Sequence, residues 1–265
     1  MKLEIDSSDI QKVTAPYPIG FVDNFLNHDD CKKIFNEISL INKYDDLVMD
    51  GRYRVNKGSK NFNEYLKKFK NLSALYNALN DENFYKLMRE KLDFVKSNNA
   101  WEPEIDKFKY SKKNFGEQKF NLVKFLRRTS IISKFFEKTI NLDIDFSTSK
   151  KGYFRKAHRD RDTRIISFLL YLNTIDKKMG GEFEVYEYLD DNKIFEDLKR
   201  FPDGKKVKVV DKFSPKSGQL FFFLSTPDSY HGVSKFTSNN ENRVFIYGSY
   251  SLDRKVKWNF VREKS

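Results

Sequence analysis

Three side chains in the second half of the sequence are of the types that bind a metal ion. The sequence contains three histidines, His28, His158 and His231, and Asp160 follows His158 by two positions. On a β-strand, residues i and i+2 point to the same face, so the imidazole of His158 and the carboxylate of Asp160 would enter one cavity. His231 could complete the set. Two histidines and one carboxylate are the facial ligand set typical of non-haem Fe(II), which leaves coordination positions open.

The His-x-Asp spacing is a weak signal when it is taken alone. Arg159, Arg161, Asp162 and Arg164 make this segment rich in charge, and a solvated hairpin beside a charged turn would have the same residues. The elements around the three ligands must therefore decide between a metal site and a surface turn.

The spacing of apolar residues changes near residue 140, from a helical period to short β-rich runs. Strands are predicted at 144–157, 164–172, 182–188, 206–210, 219–224, 229–235 and 243–251. About seven strands separated by turn residues predict a barrel or a two-sheet roll. We expect an α+β fold in one domain, 1–265. Residues 1–140 would supply mostly helical support, and 141–265 would form a double-stranded β-helix (jelly-roll) core with an insertion near 186–213.

The first part predicts a strand at 21–26, followed by candidate N-caps at 27–30 for a helix through residue 41. In this segment we expect His28 to face solvent and Cys31 to pack in the helix rather than act as a nucleophile. Further helices are predicted at 61–79, 81–96 and 119–138, and a loop is predicted at 98–118.

The composition indicates a globular chain with an excess of positive charge. Of its 265 residues, 39% are hydrophobic and 33% are charged, which is enough apolar material for one large core. Lys and Arg number 50 against 38 Asp and Glu, a net charge of +12, which favours acidic partners, including an anionic substrate. One cysteine cannot form an intrachain disulfide, and the N-terminus lacks a signal-peptide pattern, so we expect a cytoplasmic protein without a membrane segment.

A series of motifs around the histidines resembles the prolyl-4-hydroxylase-like branch of the 2-oxoglutarate/Fe(II) dioxygenases. In chain order the motifs are His158-Arg-Asp160, RIISFLLYLN at 164–173, GGEF at 180–183, GQLFFF at 218–223, His231-Gly-Val and Arg243. That is the order in which the family has them. The opening segment 21–31 is also similar, so the resemblance covers most of the chain outside about 40–140.

The resemblance implies that His158, Asp160 and His231 bind Fe(II), and that Arg243 holds the distal carboxylate of the cosubstrate 2-oxoglutarate. A guanidinium can hold such a carboxylate by two parallel hydrogen bonds. The alternative for Arg243 is a surface arginine after a polar turn. The apolar strand that follows it, 244–246, favours the cosubstrate role.

Three further residues receive roles from the resemblance. Tyr171 resembles the family tyrosine that helps to bind the distal carboxylate, and Tyr153 resembles another cosubstrate tyrosine, although its spacing to His158 departs from the family pattern. Arg164 resembles an arginine near the substrate entrance. An ordinary core aromatic and a basic turn residue are the alternatives for Tyr171 and Arg164.

The implied activity is an Fe(II)- and 2-oxoglutarate-dependent dioxygenase reaction that hydroxylates an unactivated C–H bond with O₂. It would convert 2-oxoglutarate to succinate and CO₂, with ascorbate as a candidate reductant. The implied substrate is a prolyl residue in a protein or peptide, and the alternative is a free amino acid, a sugar or another small metabolite. Asp160 disfavours a halogenase, and Ser249 stands where AlkB-type nucleic-acid demethylases carry a second arginine.

Two other classes of protein remain open. In an inert jelly-roll binding module for an acidic polymer, the basic runs at 67–70 and 107–113 would do the binding. A zinc hydrolase with a His₂Asp site is the second, but it does not account for Arg243. Nucleic-acid binding is disfavoured because no nucleic-acid fold signature accompanies the basic runs. The pattern does not indicate an oligomeric state.

Overall fold

The computed structural model describes residues 3–6, 9–13, 16–48, 51–95, 100–112, 138–189 and 199–261. In these residues the α-helices are α1 (His28–Ser39), α2 (Lys60–Lys68), α3 (Lys70–Leu79) and α4 (Glu82–Val95). The strands before residue 112 are β1 (Ile10–Val13), β2 (Ile19–Val22), β3 (Asp46–Val48), β4 (Arg52–Asn56), β5 (Ala100–Pro103) and β6 (Lys109–Tyr110). The later strands are β7 (Thr139–Ser149), β8 (Arg155–His158), β9 (Arg164–Tyr171), β10 (Phe183–Tyr188), β11 (Val207–Phe213), β12 (Leu220–Leu224), β13 (His231–Val233), β14 (Arg243–Leu252) and β15 (Trp258–Val261).

Strands β7 to β14 pass back and forth between two sheets. The larger sheet has the order β1-β2-β12-β9-β14-β7-β4-β3, with β6 paired to β7, and the smaller sheet has the order β11-β10-β13-β8. Strands β15 and β5 pair separately. This arrangement is the double-stranded β-helix core that the sequence predicts, and the fold class is confirmed.

Side chains of the central strands alternate between two apolar cores because successive residues of a strand point to opposite faces. On β9, Phe168 and Leu170 belong to the core that the helices cover, whereas Leu169 and Tyr171 belong to the core between the two sheets. Strands β12 and β14 alternate in the same way. Every second residue of the larger sheet therefore faces the smaller sheet, and the cavity described below lies between them.

The first helix begins as the sequence predicts. The side chain of Asn27 caps α1 by accepting a hydrogen bond of 2.9 Å from the backbone N–H of Asp30. Cys31 is buried and His28 is exposed, so both positions are confirmed. The predicted strand before the helix lies slightly earlier than expected, at Ile19–Val22.

The single helix predicted at 61–79 is wrong, because the chain breaks at Phe69 into α2 and α3. Phe69 is extended, with φ −111° and ψ 105°, and its side chain makes no capping hydrogen bond. The Glu37 carboxylate of α1 caps α3 instead, accepting hydrogen bonds from the backbone N–H groups of Asn71 at 3.1 Å and Leu72 at 2.7 Å. These groups have no partner inside a helix, so a carboxylate from another helix stabilises the new start.

Two other predictions about the elements are wrong. The loop predicted at 98–118 contains β5 and β6, and the strand predicted at 144–157 is two strands, β7 and β8, in different sheets. Strands β1, β3, β4 and β15 have no counterpart among the predictions. The first part is thus less helical than expected, because β1 to β4 and β6 extend the larger sheet.

Apart from Lys138, the helix predicted at 119–138 lies outside the described residues. Positions 190–198 of the predicted insertion also lie outside them. Within the described part of the chain, no helix combines the length and the apolar character needed to cross a membrane.

Candidate active site

The structure brings His158, Asp160 and His231 together between the two sheets. His231 on β13 lies directly opposite His158 on β8 in the antiparallel pairing, and their ring centroids are 4.4 Å apart. Asp160 lies two residues beyond the end of β8, so the expectation that a strand carries both members of the His-x-Asp pair is wrong. The potential ligand atoms of all three side chains nevertheless lie within 4.8 Å of one another, and all three are buried.

Backbone carbonyls orient both imidazole rings. The Nδ1–H of His158 donates to the carbonyl of Lys156 at 2.9 Å, and that of His231 donates to the carbonyl of Ser229 at 2.9 Å. A proton on Nδ1 leaves the lone pair of Nε2 for a metal ion. The Nε2 atom of His231 is 4.0 Å from the Asp160 carboxylate.

The Asp160 carboxylate is held in place by three neighbours. It accepts hydrogen bonds from the Arg164 guanidinium and the Ser167 hydroxyl. The hydroxyl of Tyr247 lies 3.0 and 3.1 Å from its two oxygens, and the Arg164 guanidinium also donates to this hydroxyl. Such surrounding hydrogen bonds fix the orientation of a metal-binding carboxylate.

The protonation states of the three side chains are those that metal binding requires. Burial lowers the pKa of His158 well below its usual value, and it also lowers that of His231, so both rings are neutral. Burial opposes ionisation of Asp160, but the positive charge of Arg164 and the hydrogen bond from Ser167 lower its pKa overall. Two neutral imidazoles and one carboxylate fit a divalent metal ion.

Arg243 is a fully buried cation at the start of β14, in the same cavity. Its Nη2 donates to the Tyr171 hydroxyl at 3.3 Å, and its guanidinium lies 4.2 Å from the centroid of the Phe245 ring. Within the described residues, Nε and Nη1 of Arg243 are buried without a hydrogen-bond partner. A buried guanidinium with unused donors is costly unless an anion binds it, so this arrangement fits the distal carboxylate of 2-oxoglutarate.

A glycine turn leaves room for Arg243. Gly181 has φ +75°, a conformation that favours glycine, and a Cβ added there would lie 3.2 Å from Cδ of Arg243 and 3.2 Å from the Phe236 ring. The Gly180–Gly181 motif of the sequence is therefore part of the wall around this arginine.

Tyr153 and Arg164 also line the cavity. Tyr153 is buried, and the structure does not connect it to Arg243 by a hydrogen bond. The Arg164 guanidinium is directed to Asp160 and Tyr247 rather than to open space. The cosubstrate role of Tyr153 and the substrate role of Arg164 remain predictions.

Sequence reasoning missed three residues of the site: Tyr247, Ser167 and Arg52. Tyr247 could have been found, because it lies four positions after Arg243 on one strand and so shares its face. Ser167 likewise shares a face with Tyr171 on β9. Arg52 has no such signal, because it comes from β4, far away in the sequence.

The comparisons with known proteins agree with this geometry. Residues 144–250, which lie within β7–β14, match the 2OG-Fe(II) oxygenase superfamily. No curated protein matches the sequence at a significant level.

Among solved structures, a prolyl 4-hydroxylase from Phytophthora capsici is similar, with a TM-score of 0.51 and 13% identity. The match covers 88% of this chain and 58% of that one, so the chain spans little more than half of the length of this relative. A prolyl-4-hydroxylase from Pseudomonas putida has a TM-score of 0.42 and 16% identity, covering 88% of this chain and 91% of that one. HygX from Streptomyces hygroscopicus, with nickel and 2-oxoglutarate bound, has a TM-score of 0.45 and 9% identity, covering 88% and 82%.

At 13% identity, the Phytophthora capsici structure shows the fold alone. The jelly-roll segment of this chain, residues 144–250, is similar to the 2OG-Fe(II) oxygenase superfamily.

Proposed function

We propose that this protein is a hydroxylase that uses Fe(II), 2-oxoglutarate and O₂ to oxidise an unactivated C–H bond. The observation that carries the proposal is that one cavity holds both the His158–Asp160–His231 set and Arg243, a buried guanidinium with two unpartnered nitrogens. An inert jelly-roll has no physical need for a metal-binding set and an uncompensated cation together.

Each residue has a task that follows from its position. His158 and His231 present Nε2, Asp160 presents its carboxylate, and Arg243 with Tyr171 would hold the distal carboxylate of 2-oxoglutarate. When bound, Fe(II) with 2-oxoglutarate and O₂ supplies the oxidising chemistry. Apolar side chains of the cavity wall, Leu169, Phe183, Val233 and Phe245, exclude water from the space in front of the ligands.

A prolyl residue in a peptide is the first substrate to test. The motif order of the sequence supports it, and the fold similarity to the Phytophthora capsici prolyl 4-hydroxylase agrees with it. A small metabolite is the alternative substrate, and it would use the same iron and cosubstrate site.

The test is spectroscopic binding followed by turnover. Purified protein is mixed with Fe(II) and 2-oxoglutarate without oxygen, and the weak charge-transfer band of the chelate is recorded. Oxygen is then admitted and succinate is measured. We expect both the band and succinate in the wild type, and we expect Arg243→Ala to need much more 2-oxoglutarate because the distal carboxylate loses its cation.

Circular dichroism of Arg243→Ala checks that the variant folds, and Arg243→Lys provides a second variant that keeps the charge. Arg243→Lys should need less 2-oxoglutarate than Arg243→Ala. A wild type that shows neither band nor succinate would overturn the proposal and favour a binding module with an oxygenase fold.

A further inference from the structure

Arginine is unusually frequent around the cavity. In the described part of the chain, seven arginines line it: Arg52, Arg54, Arg155, Arg161, Arg164, Arg200 and Arg243. Asp160 is the one carboxylate among the lining residues. The wall of the site is therefore strongly positive, beyond the excess of positive charge in the chain as a whole.

Several of these arginines have a negatively charged partner that balances their charge. Arg52 pairs with Asp145 at 2.7 Å, and Arg54 pairs with Asp46 at 2.6 Å. Arg164 pairs with Asp160. Arg243 fits the cosubstrate, as described above. These four arginines are accounted for by structure or by 2-oxoglutarate.

Arg161 and Arg200 have no carboxylate partner among the residues that the structure describes. Arg161 is exposed, and Arg200 is partly buried. Arg200 is fixed by its backbone, because its carbonyl accepts a hydrogen bond of 2.9 Å from the N–H of Arg159. Its Nε donates to the Arg159 carbonyl at 3.4 Å. Burial and the positive charges of Arg161 and Arg164 lower the pKa of Arg200, although the Asp160 carboxylate opposes this.

An exposed aromatic ring contacts both Arg200 and the metal ligand His158. Phe201 is 54% exposed, and its ring is stacked on His158 with centroids 6.1 Å apart. The Arg200 guanidinium lies 5.1 Å from the centroid of the same ring. At the mouth of the cavity, Arg200 therefore contacts the same ring, Phe201, as the metal ligand His158.

Loading the site does not remove this positive charge. A divalent iron and a 2-oxoglutarate dianion cancel each other, and 2-oxoglutarate uses Arg243 rather than the arginines at the mouth. Guanidinium groups crowded without a counterion are unfavourable, and an anion that binds two of them relieves the repulsion.

We propose that the substrate carries an oxyanion, a carboxylate or a phosphate, which Arg161 and Arg200 bind at the mouth while the C–H bond to be oxidised reaches the iron. The inference rests on the proposed function and names the substrate class of that site. Phe201 provides an apolar surface for the part of the substrate between the anion and the reacting carbon.

The test is a binding measurement on the full chain loaded with Fe(II) and 2-oxoglutarate without oxygen. Three probes are titrated calorimetrically: a short peptide with a proline between glutamates, the same peptide with glutamines, and pyrophosphate. We expect the wild type to bind the acidic peptide or pyrophosphate at least about tenfold more tightly than the glutamine peptide at about 50 mM salt, with the difference shrinking as salt screens the charges.

The double variant Arg161→Gln/Arg200→Gln should lose that preference. Lys33→Gln/Lys67→Gln is the matched control, because it removes the same charge from exposed positions on α1 and α2, and it should keep the preference. Arg161→Lys/Arg200→Lys should keep part of it, which separates the loss of charge from a folding defect. A preference for the peptide identifies a carboxylate carried on a chain, and a preference for pyrophosphate identifies a phosphate compound.

Equal binding of all three probes by the wild type would overturn the inference, as would a preference that survives in the double glutamine variant. A titration of 2-oxoglutarate on the same wild-type sample distinguishes the two proposals. Wild type that binds 2-oxoglutarate but shows no anion preference defeats this inference alone, whereas failure to bind 2-oxoglutarate defeats the proposed function.

Discussion

Arg52 and Asp145 form a buried ion pair between neighbouring strands, β4 and β7. Nη2 of Arg52 lies 2.7 and 3.0 Å from the two carboxylate oxygens, and Nε donates to the Ser147 hydroxyl at 2.9 Å. The same guanidinium lies over the rings of Phe245 and Tyr247, at 5.0 and 5.3 Å from their centroids. This pair joins a strand from outside the matched oxygenase segment to the wall of the active site.

We expect Arg52→Ala to lower the free energy of unfolding by about 2 kcal/mol, because the buried Asp145 carboxylate loses its two shortest hydrogen bonds to a guanidinium and keeps only the longer contact with Arg54, at 3.8 Å. Urea unfolding followed by circular dichroism measures this change. Lys86→Ala is the control, since Lys86 forms an exposed pair with Glu82 on α4 that contributes about 0.5 kcal/mol or less. If both variants lose the same small amount of unfolding free energy, the pair of Arg52 and Asp145 does not stabilise the fold.

Binding of Fe(II) should depend on His158 and not on His28. We expect His158→Ala to weaken Fe(II) binding by roughly 100-fold or more, because removing a ligand costs more than the 10- to 100-fold known for residues that only support ligands. His28→Ala should bind Fe(II) like the wild type, because His28 is exposed at the start of α1. Anaerobic titration of Fe(II) measures both, and comparable affinities in the two variants would argue against the site.

Tyr247 should act by positioning Asp160. We expect Tyr247→Phe to weaken Fe(II) binding about tenfold with little change in melting temperature, because only the hydroxyl next to the carboxylate is removed. Tyr186→Phe is a matched control, since the Tyr186 hydroxyl donates to Glu184 on β10 instead. If both variants bind Fe(II) like the wild type, Arg164 and Ser167 suffice to orient Asp160.

Cys31 should be unreactive in the folded protein. Burial raises the pKa of its thiol, and the Sγ atom lies 3.2 Å from the Ser217 hydroxyl. The thiolate is the reactive form, so we expect slow labelling by iodoacetamide at neutral pH and fast labelling in urea. Native labelling as fast as that of free cysteine would show that α1 opens readily or that Cys31 is accessible.

Local sequence patterns determine much of the fold, because apolar runs mark the segments that become buried strands and capping residues mark where a helix begins. The short, β-rich apolar runs of β9, β12 and β14 predicted the core strands, and the candidate N-caps at 27–30 predicted the start of α1. The break at Phe69 could not be predicted, because no glycine or proline marks it. The carboxylate that caps α3, from Glu37, belongs to a different helix.

By itself, the sequence determined the chemistry that this protein offers: two scarce histidines, the aspartate at Asp160, and Arg243 at the start of an apolar strand. The residue types and the motif order sufficed for that, and the superfamily match agrees. Tertiary structure alone decided how Asp160 is held, which strand brings Arg52 to the cavity wall, and that Arg161 and Arg200 line the same cavity. These relationships depend on strand pairing and packing between segments far apart in the chain, and the spacing of residues along a single segment does not encode them.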